Sequence, residues 1–230
     1  PYTTLFRSGL CAPPGPPAGA GDGIVNARRP WLAGGALGLV LALPWTREAM
    51  ESSMWRHMLL QFPAWLLAGA LLAAALPPRA RAAVARWNAH GIAGLVAVAV
   101  TLAVLMVPRV LDLALRRPDI EAAKLATLLL AGVALRLSWR PAGLVVQFFF
   151  LGNLLPMMVV VGQLYIDSPL RLCNAYLLDD QARLGAWLIG GAAVLGAAWL
   201  AWTGWVLAGR QTPPAPAGAL HGMTGQNPPR

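Results

Sequence analysis

The chain has 230 residues, of which 57% are hydrophobic and 12% are charged, with a mean hydropathy of +0.58. A soluble globular domain carries about twice that charged fraction, so the composition excludes an ordinary soluble domain. The formal net charge of +9 does not indicate nucleic-acid binding, because the basic residues are scattered among short loops without an aromatic-interleaved patch. Several apolar runs approach the ~20 residues that a helix needs to cross a bilayer, which predicts a polytopic membrane protein.

The two ends of the chain differ from its middle. Residues 1–8 resemble the in-frame translation of a common sequencing adapter, so we interpret them as an artefact and expect the native N-terminus to be missing. Residues 9–27 are rich in Pro, Gly and Ala, which is typical of a flexible lead-in. Residues 209–230 are Pro-rich and polar, which predicts a disordered tail. The membrane domain is therefore expected to span residues 28–208.

Six apolar runs predict an all-α transmembrane bundle of about six helices. They lie at residues 31–45, 54–76, 91–107, 122–139, 142–166 and 184–208. Between these runs, the sequence predicts a basic loop at residues 79–90, an interfacial helix at 109–121 and a polar connector at 167–183. Pro63 is expected to kink the second helix. Lys124, near the start of the fourth, is expected to extend its charge to the lipid headgroups.

The distribution of charge predicts the orientation in the membrane. The tails and the even-numbered loops carry slightly more Lys and Arg than the odd-numbered loops, which favours both termini in the cytoplasm. Eight of the nine acidic residues then lie on the opposite, outer side. We therefore expect the outer face to be the functional one.

One face of the second helix combines candidate metal ligands. Met54, His57, Met58 and Gln61 recur at i, i+3, i+4 and i+7, so they share that face. Thioether and imidazole groups are soft ligands that suit Cu(I), and Met106 of the next helix is a candidate to complete the site. The alternative is that both methionines are packing residues and that His57 hydrogen-bonds a neighbouring helix.

The sequence holds no catalytic arrangement of residues. A Ser-His-Asp set, a phosphate-binding loop and the His-Glu-x-x-His zinc spacing are all missing from it. Cys11 and Cys173 are too far apart to form a CxxC metal or redox motif. We therefore expect that the protein is not an enzyme.

Three stretches carry short motifs. The first, 54–63, reads Met-Trp-Arg-His-Met-Leu-Leu-Gln-Phe-Pro; the second, 108–118, reads Pro-Arg-Val-Leu-Asp-Leu-Ala-Leu-Arg-Arg-Pro; the third, 168–185, ends in Asp-Gln-Ala-Arg-Leu-Gly. In this order and spacing they resemble the CtaG membrane family, which is associated with the assembly of caa-type cytochrome c oxidase. The resemblance covers about residues 28–208.

The resemblance implies a membrane assembly factor that handles copper at the outer face of the bacterial cytoplasmic (inner) membrane. Its implied partners are membrane lipid and a subunit of a haem-copper cytochrome c oxidase. The scattered basic residues predict that nucleic acid is not a partner. The structural motif residues of the family are present as Pro63, Pro108, Asp112, Pro118, Asp180, Gln181 and Gly185. We expect Asp112 to cap the interfacial helix or to pair with Arg116. Asp180 and Gln181 are expected at the N-terminus of the last helix, where a carboxylate is favourable.

Most of the histidines expected from the resemblance are replaced in this chain. The replacing residues are Ser53 just before the first stretch, Met106 and Arg117 around the second, and Glu121, Lys124 and Leu125 at the start of the fourth helix. The Trp that the resemblance leads one to expect before Met106 is Leu105. Two alternatives therefore stay open. One is a degenerate family member that serves as a structural partner without metal. The other is a small-molecule or ion transporter, for which Gln147, Asn153 and Gln163 of the fifth helix are the best support.

Overall fold

The computed structural model describes residues 22–211, with side chains described for residues 30–209. Within this range the chain is all-helical, which confirms the predicted fold class. The α-helices there are α1 (Asp22–Ala42), α2 (Pro44–Glu51), α3 (Met54–Arg56), α4 (Phe62–Leu72), α5 (Pro78–Trp87), α6 (Ile92–Leu105), α7 (Pro108–Arg116), α8 (Pro118–Trp139), α9 (Gly143–Asp167) and α10 (Leu178–Gln211).

Helices α3 and α4 belong to one longer helical segment. A turn of π-helix, His57–Gln61, connects them, and a 3-10 turn, Ala73–Ala75, follows α4. We call the whole of Met54–Ala75 the central segment. Pro63 lies at the start of α4, just after the π-helical turn. Because proline has no N–H to give to the carbonyl four residues earlier, its expected effect takes the form of a local change in helix type.

Three segments of the described chain are long and apolar enough to cross a membrane, and they indicate a membrane protein. They are Met54–Ala75, Gly143–Asp167 and Leu178–Gly209. Helices α5 and α6 pass the same test only as a pair, and they are bent against each other by 86°. The apolar helix Pro30–Ala42 is shorter. Each predicted apolar run lies on a helix, but the count of six crossings stays a prediction.

Helix α5 lies where the sequence predicts a basic loop. Its residues Pro78–Trp87 are mainly Ala and Arg, which are strong helix formers, and proline is favoured at the first helical position. Beyond α5, Gly91 adopts a φ of 70°, a left-handed conformation that glycine tolerates. The chain therefore turns sharply from α5 into α6.

Helix α1 begins at Asp22, inside the segment predicted as a lead-in. All four prolines of residues 9–27 lie before this point, between Pro13 and Pro17, and the next one, Pro30, lies inside α1. Residues 1–21 and 212–230 lie outside the described residues. They include the predicted artefact and most of the predicted tail.

The central segment connects the two parts of the bundle. Helix α4 packs along α8, with α1 against α4 and α6 against α8. Helices α9 and α10 pack against each other, and α10 also contacts α3. The core contains Met54, Met58, Phe62, Leu128 and Leu188, each at most 2% exposed. Side chains of the central segment, α8 and α10 thus share one core.

Glycines allow close approach of the helices at two crossings. A Cβ atom on Gly69 of α4 would collide with a carbonyl oxygen of α8, and one on Gly132 of α8 would collide with a carbonyl oxygen of α4. Likewise, a Cβ atom on Gly162 of α9 would collide with the carbonyl oxygen of Gly185 of α10, and one on Gly185 would collide with that of Gly162. Small residues permit such backbone contact between membrane helices. This contact gives the motif residue Gly185 a structural role.

We expect Gly132→Ala to destabilise the protein by about 1–3 kcal/mol, because the added methyl group would push α4 and α8 apart. Gly190→Ala on α10 is the matched control, since nothing lies within 4 Å of a Cβ atom at that position and alanine has the higher helix propensity. Thermal unfolding in detergent, followed by circular dichroism, compares the two variants. Equal transition temperatures would contradict the close contact of α4 with α8.

Candidate functional site

The three stretches that carry the family resemblance meet at one end of the bundle. We call residues 54–63, 108–118 and 168–185 together the motif end. The backbone N–H of Met54 in the first stretch donates to Asp180 Oδ2 in the third, at 3.1 Å. Asp112 in the second stretch accepts bonds from the backbone N–H groups of Asn174 and Ala175, at 3.0 and 3.4 Å. Two carboxylates therefore hold the third stretch against the other two.

These bonds differ from the ones that the sequence predicts. Asp112 is expected to cap its own helix or to pair with Arg116, but both of its oxygens accept bonds from the loop between α9 and α10. Asp180 lies in the first turn of α10, as expected, and its bond goes to the start of the central segment. Each carboxylate thus joins two separate elements.

The buried side chain of Gln181 holds the same loop. Its oxygen accepts the N–H of Leu172 at 2.9 Å, and its nitrogen donates to the carbonyl oxygens of Tyr165 and Leu170 at 3.2 and 3.4 Å. Cys173 in this loop is 1% exposed, and burial raises the pKa of its thiol to about 12. The thiol therefore stays protonated near neutral pH, which makes it a poor nucleophile and metal ligand.

The polar face of the central segment points into the bundle. Met54, His57, Met58 and Gln61, which the spacing predicts to share a face, are each at most 2% exposed. The last three lie in the π-helical turn, a feature that is frequent at functional sites. Two polar side chains are thereby brought into the core at the motif end.

Lys124 of α8 lies at the centre of a buried polar network. Its Nζ is 2.7 Å from Glu121 Oε2, 2.7 Å from His57 Nε2 and 3.4 Å from Gln61 Oε1. An ammonium group has three N–H donors, and here it has one ion-pair partner, Glu121, and two hydrogen-bond partners, His57 and Gln61. Lys124 is only 2% exposed, so the predicted extension to the headgroups is wrong. The side chain turns inward because a carboxylate and two neutral acceptors lie there.

Both ring nitrogens of His57 have partners in the protein. Nε2 faces the Lys124 ammonium, and Nδ1 lies 2.7 Å from the hydroxyl oxygen of Tyr176. Because an ammonium group can only donate, we assign Nε2 as the acceptor and place the proton of the neutral ring on Nδ1. His57 therefore hydrogen-bonds a neighbouring helix, as one of the two interpretations of the sequence expects.

Glu51, at the end of α2, extends the network towards the surface. Its side chain is 14% exposed, and its Oε1 is 3.4 Å from Arg47 Nε and 3.5 Å from Gln61 Nε2. Burial, and then the neighbouring carboxylate of Glu121, raises the pKa of Glu51 above its ordinary value of 4.5. Neither oxygen of Glu121 has a well-oriented hydrogen bond, despite the short ion-pair distance to Lys124.

This arrangement does not suit a copper ion. The Lys124 ammonium lies against His57 Nε2, so a copper ion there would displace a hydrogen bond and meet a positive charge. Met54 and Met58 belong to the apolar core, and Met106 packs against it. Among the described residues, no group of three or more His, Cys, Asp or Glu side chains is placed to hold a metal ion. Copper binding at His57, Met54, Met58 and Met106 stays a prediction, and the arrangement of these side chains in the structure does not fit a copper ion.

Sequence reasoning missed the parts of this network that lie far apart in the chain. Glu121 and Lys124 are spaced at i and i+3, which places them side by side on a helix and is the one local signal of the ion pair. Tyr176 is 119 positions from His57, and Glu51 lies on a separate short helix. No local pattern connects these residues, so only the fold brings them together.

Comparisons of the chain with family models, with curated proteins and with solved structures found no match. The resemblance to the CtaG family thus depends on the three motif stretches.

We expect Lys124→Met to destabilise the protein by about 3–5 kcal/mol, because it leaves the Glu121 carboxylate buried without its partner. The double variant Glu121→Gln/Lys124→Met removes both charges and is expected to recover most of that loss. Thermal unfolding in detergent measures both variants. A double variant as unstable as the single one would contradict the stabilising role of the buried ion pair.

The raised pKa of Glu51 makes the stability of the fold depend on pH. The folded state holds this proton more tightly than the unfolded chain does, so the contribution is present at acidic pH. It is lost as the pH rises from about 4.5 through the raised pKa. We expect Glu51→Gln to flatten this decline, whereas Glu48→Gln, an exposed position of the same helix, leaves it unchanged. Transition temperatures across this pH range test the assignment, and equal slopes for both variants would refute it.

Proposed function

We propose that the chain is a multi-pass protein of the bacterial cytoplasmic membrane that assists the assembly of a haem-copper cytochrome c oxidase. In this proposal it holds an oxidase subunit at the motif end, carries no copper at His57 and is not an enzyme. One observation carries the proposal: the three stretches of family resemblance, which are far apart in the chain, are joined by Asp112 and Asp180 at one end of the bundle.

The loop between α9 and α10 has the properties of a binding surface. Leu170 is 71% exposed and Leu177 is 64% exposed, so apolar side chains are available to a partner. The backbone of the loop is held by Asp112 and Gln181. A loop that is already ordered loses less conformational entropy on binding, which favours recognition of a protein partner here.

The buried ammonium group of Lys124 favours an assembly factor that binds no metal. Glu121 and Lys124 occupy positions where the resemblance leads one to expect histidines, and here they form an ion pair 2.7 Å apart. The positive charge that a metal would bring is thus supplied by a side chain. His57 contributes to the packing of this pair, because its Nε2 accepts from Lys124.

The structure offers little support for the transporter alternative. The three amides that favour it share no partner, and Gln147 also accepts from the indole N–H of Trp199 at 3.4 Å. Gln147 donates to the carbonyl oxygen of Trp139 at 2.8 Å, Asn153 donates to that of Phe149 at 2.8 Å, and Gln163 donates to Asp167 at 2.9 Å. Amides that line a transport path are expected to converge on one site near the middle of the bilayer, and these do not.

We expect the double variant Asp112→Ala/Asp180→Ala to lose oxidase maturation, because it removes the bonds of both carboxylates that hold the third stretch against the other two. The test uses a bacterial strain that makes a caa-type oxidase and lacks its own CtaG-like protein. Each variant of the full chain is expressed there, its membrane level is checked by immunoblot, and assembled oxidase activity is measured. Asp119→Ala is the control, since this aspartate pairs at the surface with Arg117.

A second set of variants separates the two forms of the proposal. Met54→Leu/Met58→Leu/Met106→Leu removes the thioethers and approximately conserves the side-chain volumes, so we expect normal maturation. Loss of maturation at normal protein level would instead favour copper handling by these residues. Failure of the unmodified chain to support any maturation would contradict the assembly function itself.

A further inference from the structure

A cavity of about 410 Å³ lies between α7 and the loop that connects α9 to α10. It is lined by Arg109, Asp112, Leu113, Arg116, Leu172 and Asn174. The buried network around Lys124 does not contribute to its wall, so the cavity is a separate site at the motif end.

The cavity carries an excess of positive charge. Arg109 and Arg116 are seven residues apart, about two turns of helix, so they lie on the same face of α7. The ion pairs within 4.0 Å among the described side chains include neither arginine. Asp112 also lines the cavity, but its oxygens already accept bonds from Asn174 and Ala175. The cavity thus contains two guanidinium groups and only one carboxylate, and the oxygens of that carboxylate already accept hydrogen bonds from the loop.

Helix α7 has the features of a helix that lies in the membrane interface. It directly follows the apolar helix α6, and Leu111 and Ala114 on its inner face are 1% and 2% exposed. Val107 and Leu113 are 46% and 39% exposed, so apolar side chains also lie outside the core. A helix that is apolar on one side and basic on the other is typical of the headgroup level of a bilayer. We therefore expect the cavity to open at the depth of the lipid phosphates.

We propose that this cavity binds the phosphate of an anionic phospholipid headgroup between Arg109 and Arg116. Guanidinium groups bind phosphate oxygens through paired, charge-assisted N–H···O bonds. Leu113 and Leu172 give the cavity apolar walls, which suit the glycerol end of a lipid better than a free ion. The excess positive charge selects phosphatidylglycerol over zwitterionic phosphatidylcholine. This site does not depend on the proposed role in oxidase assembly.

Native mass spectrometry of the full chain in detergent tests this site, with phosphatidylglycerol and phosphatidylcholine of the same acyl chains as probes. We expect the unmodified chain to retain phosphatidylglycerol preferentially. Arg109→Gln/Arg116→Gln is expected to bind it roughly tenfold less tightly. Arg117→Gln/Arg140→Gln is the matched control, because it removes the same number of charges at exposed positions outside the cavity and should retain the lipid.

A parallel titration with inorganic phosphate at constant ionic strength identifies the source of the phosphate group. Continued retention of phosphatidylglycerol in excess phosphate supports the lipid site. Displacement of the lipid, with phosphate itself bound by the unmodified chain and not by the Arg109→Gln/Arg116→Gln variant, would assign the cavity to a free anion and overturn the lipid assignment. Equal lipid retention by the cavity variant and the control variant would overturn the site altogether.

Discussion

The buried ammonium group of Lys124 determines where several other elements must lie. A positive charge inside an apolar bundle is costly unless acceptors surround it, so Glu121, His57 and Gln61 each have a required position. These side chains connect α8 to the central segment. His57 also bonds to Tyr176, which connects the loop before α10 to the same charge. Moving any of these elements would leave a buried polar group without one of its partners.

The pairing of α4 with α8 is fixed at two heights by two different interactions. Near the motif end, Lys124 bonds to the central segment; eight residues later, about 12 Å along α8, Gly132 permits backbone contact with α4. The ion pair requires charged side chains at Glu121 and Lys124, whereas the backbone contact requires that Gly132 has no side chain. An apolar surface alone would allow the helices to slide or rotate. Together the two contacts define both the rotation and the height of one helix against the other.

The sequence predicted elements whose signals are local. Hydropathy located the apolar helices, and the spacing of Met54, His57, Met58 and Gln61 located the buried face, because helical periodicity depends only on near neighbours. The direction of Lys124 could not be predicted, since a lysine near a helix end satisfies its charge either in the headgroups or against a buried carboxylate. The bonds of Asp112 to the distant loop likewise depend on the fold. The resemblance marked Asp112 and Asp180 as structural without indicating their partners.

The π-helical turn His57–Gln61 has a consequence for how this protein can change over time. Such a turn holds one residue more than the α-helical turn that it replaces, so an added residue is absorbed there without rotating the helix on either side. In regular α-helix each residue advances the rotation by about 100°. An insertion or deletion between Phe62 and Gly69 would therefore either take His57 away from Lys124 or take Gly69 out of its contact with α8. The π-helical turn is thus the part of the central segment best able to accept a change of length.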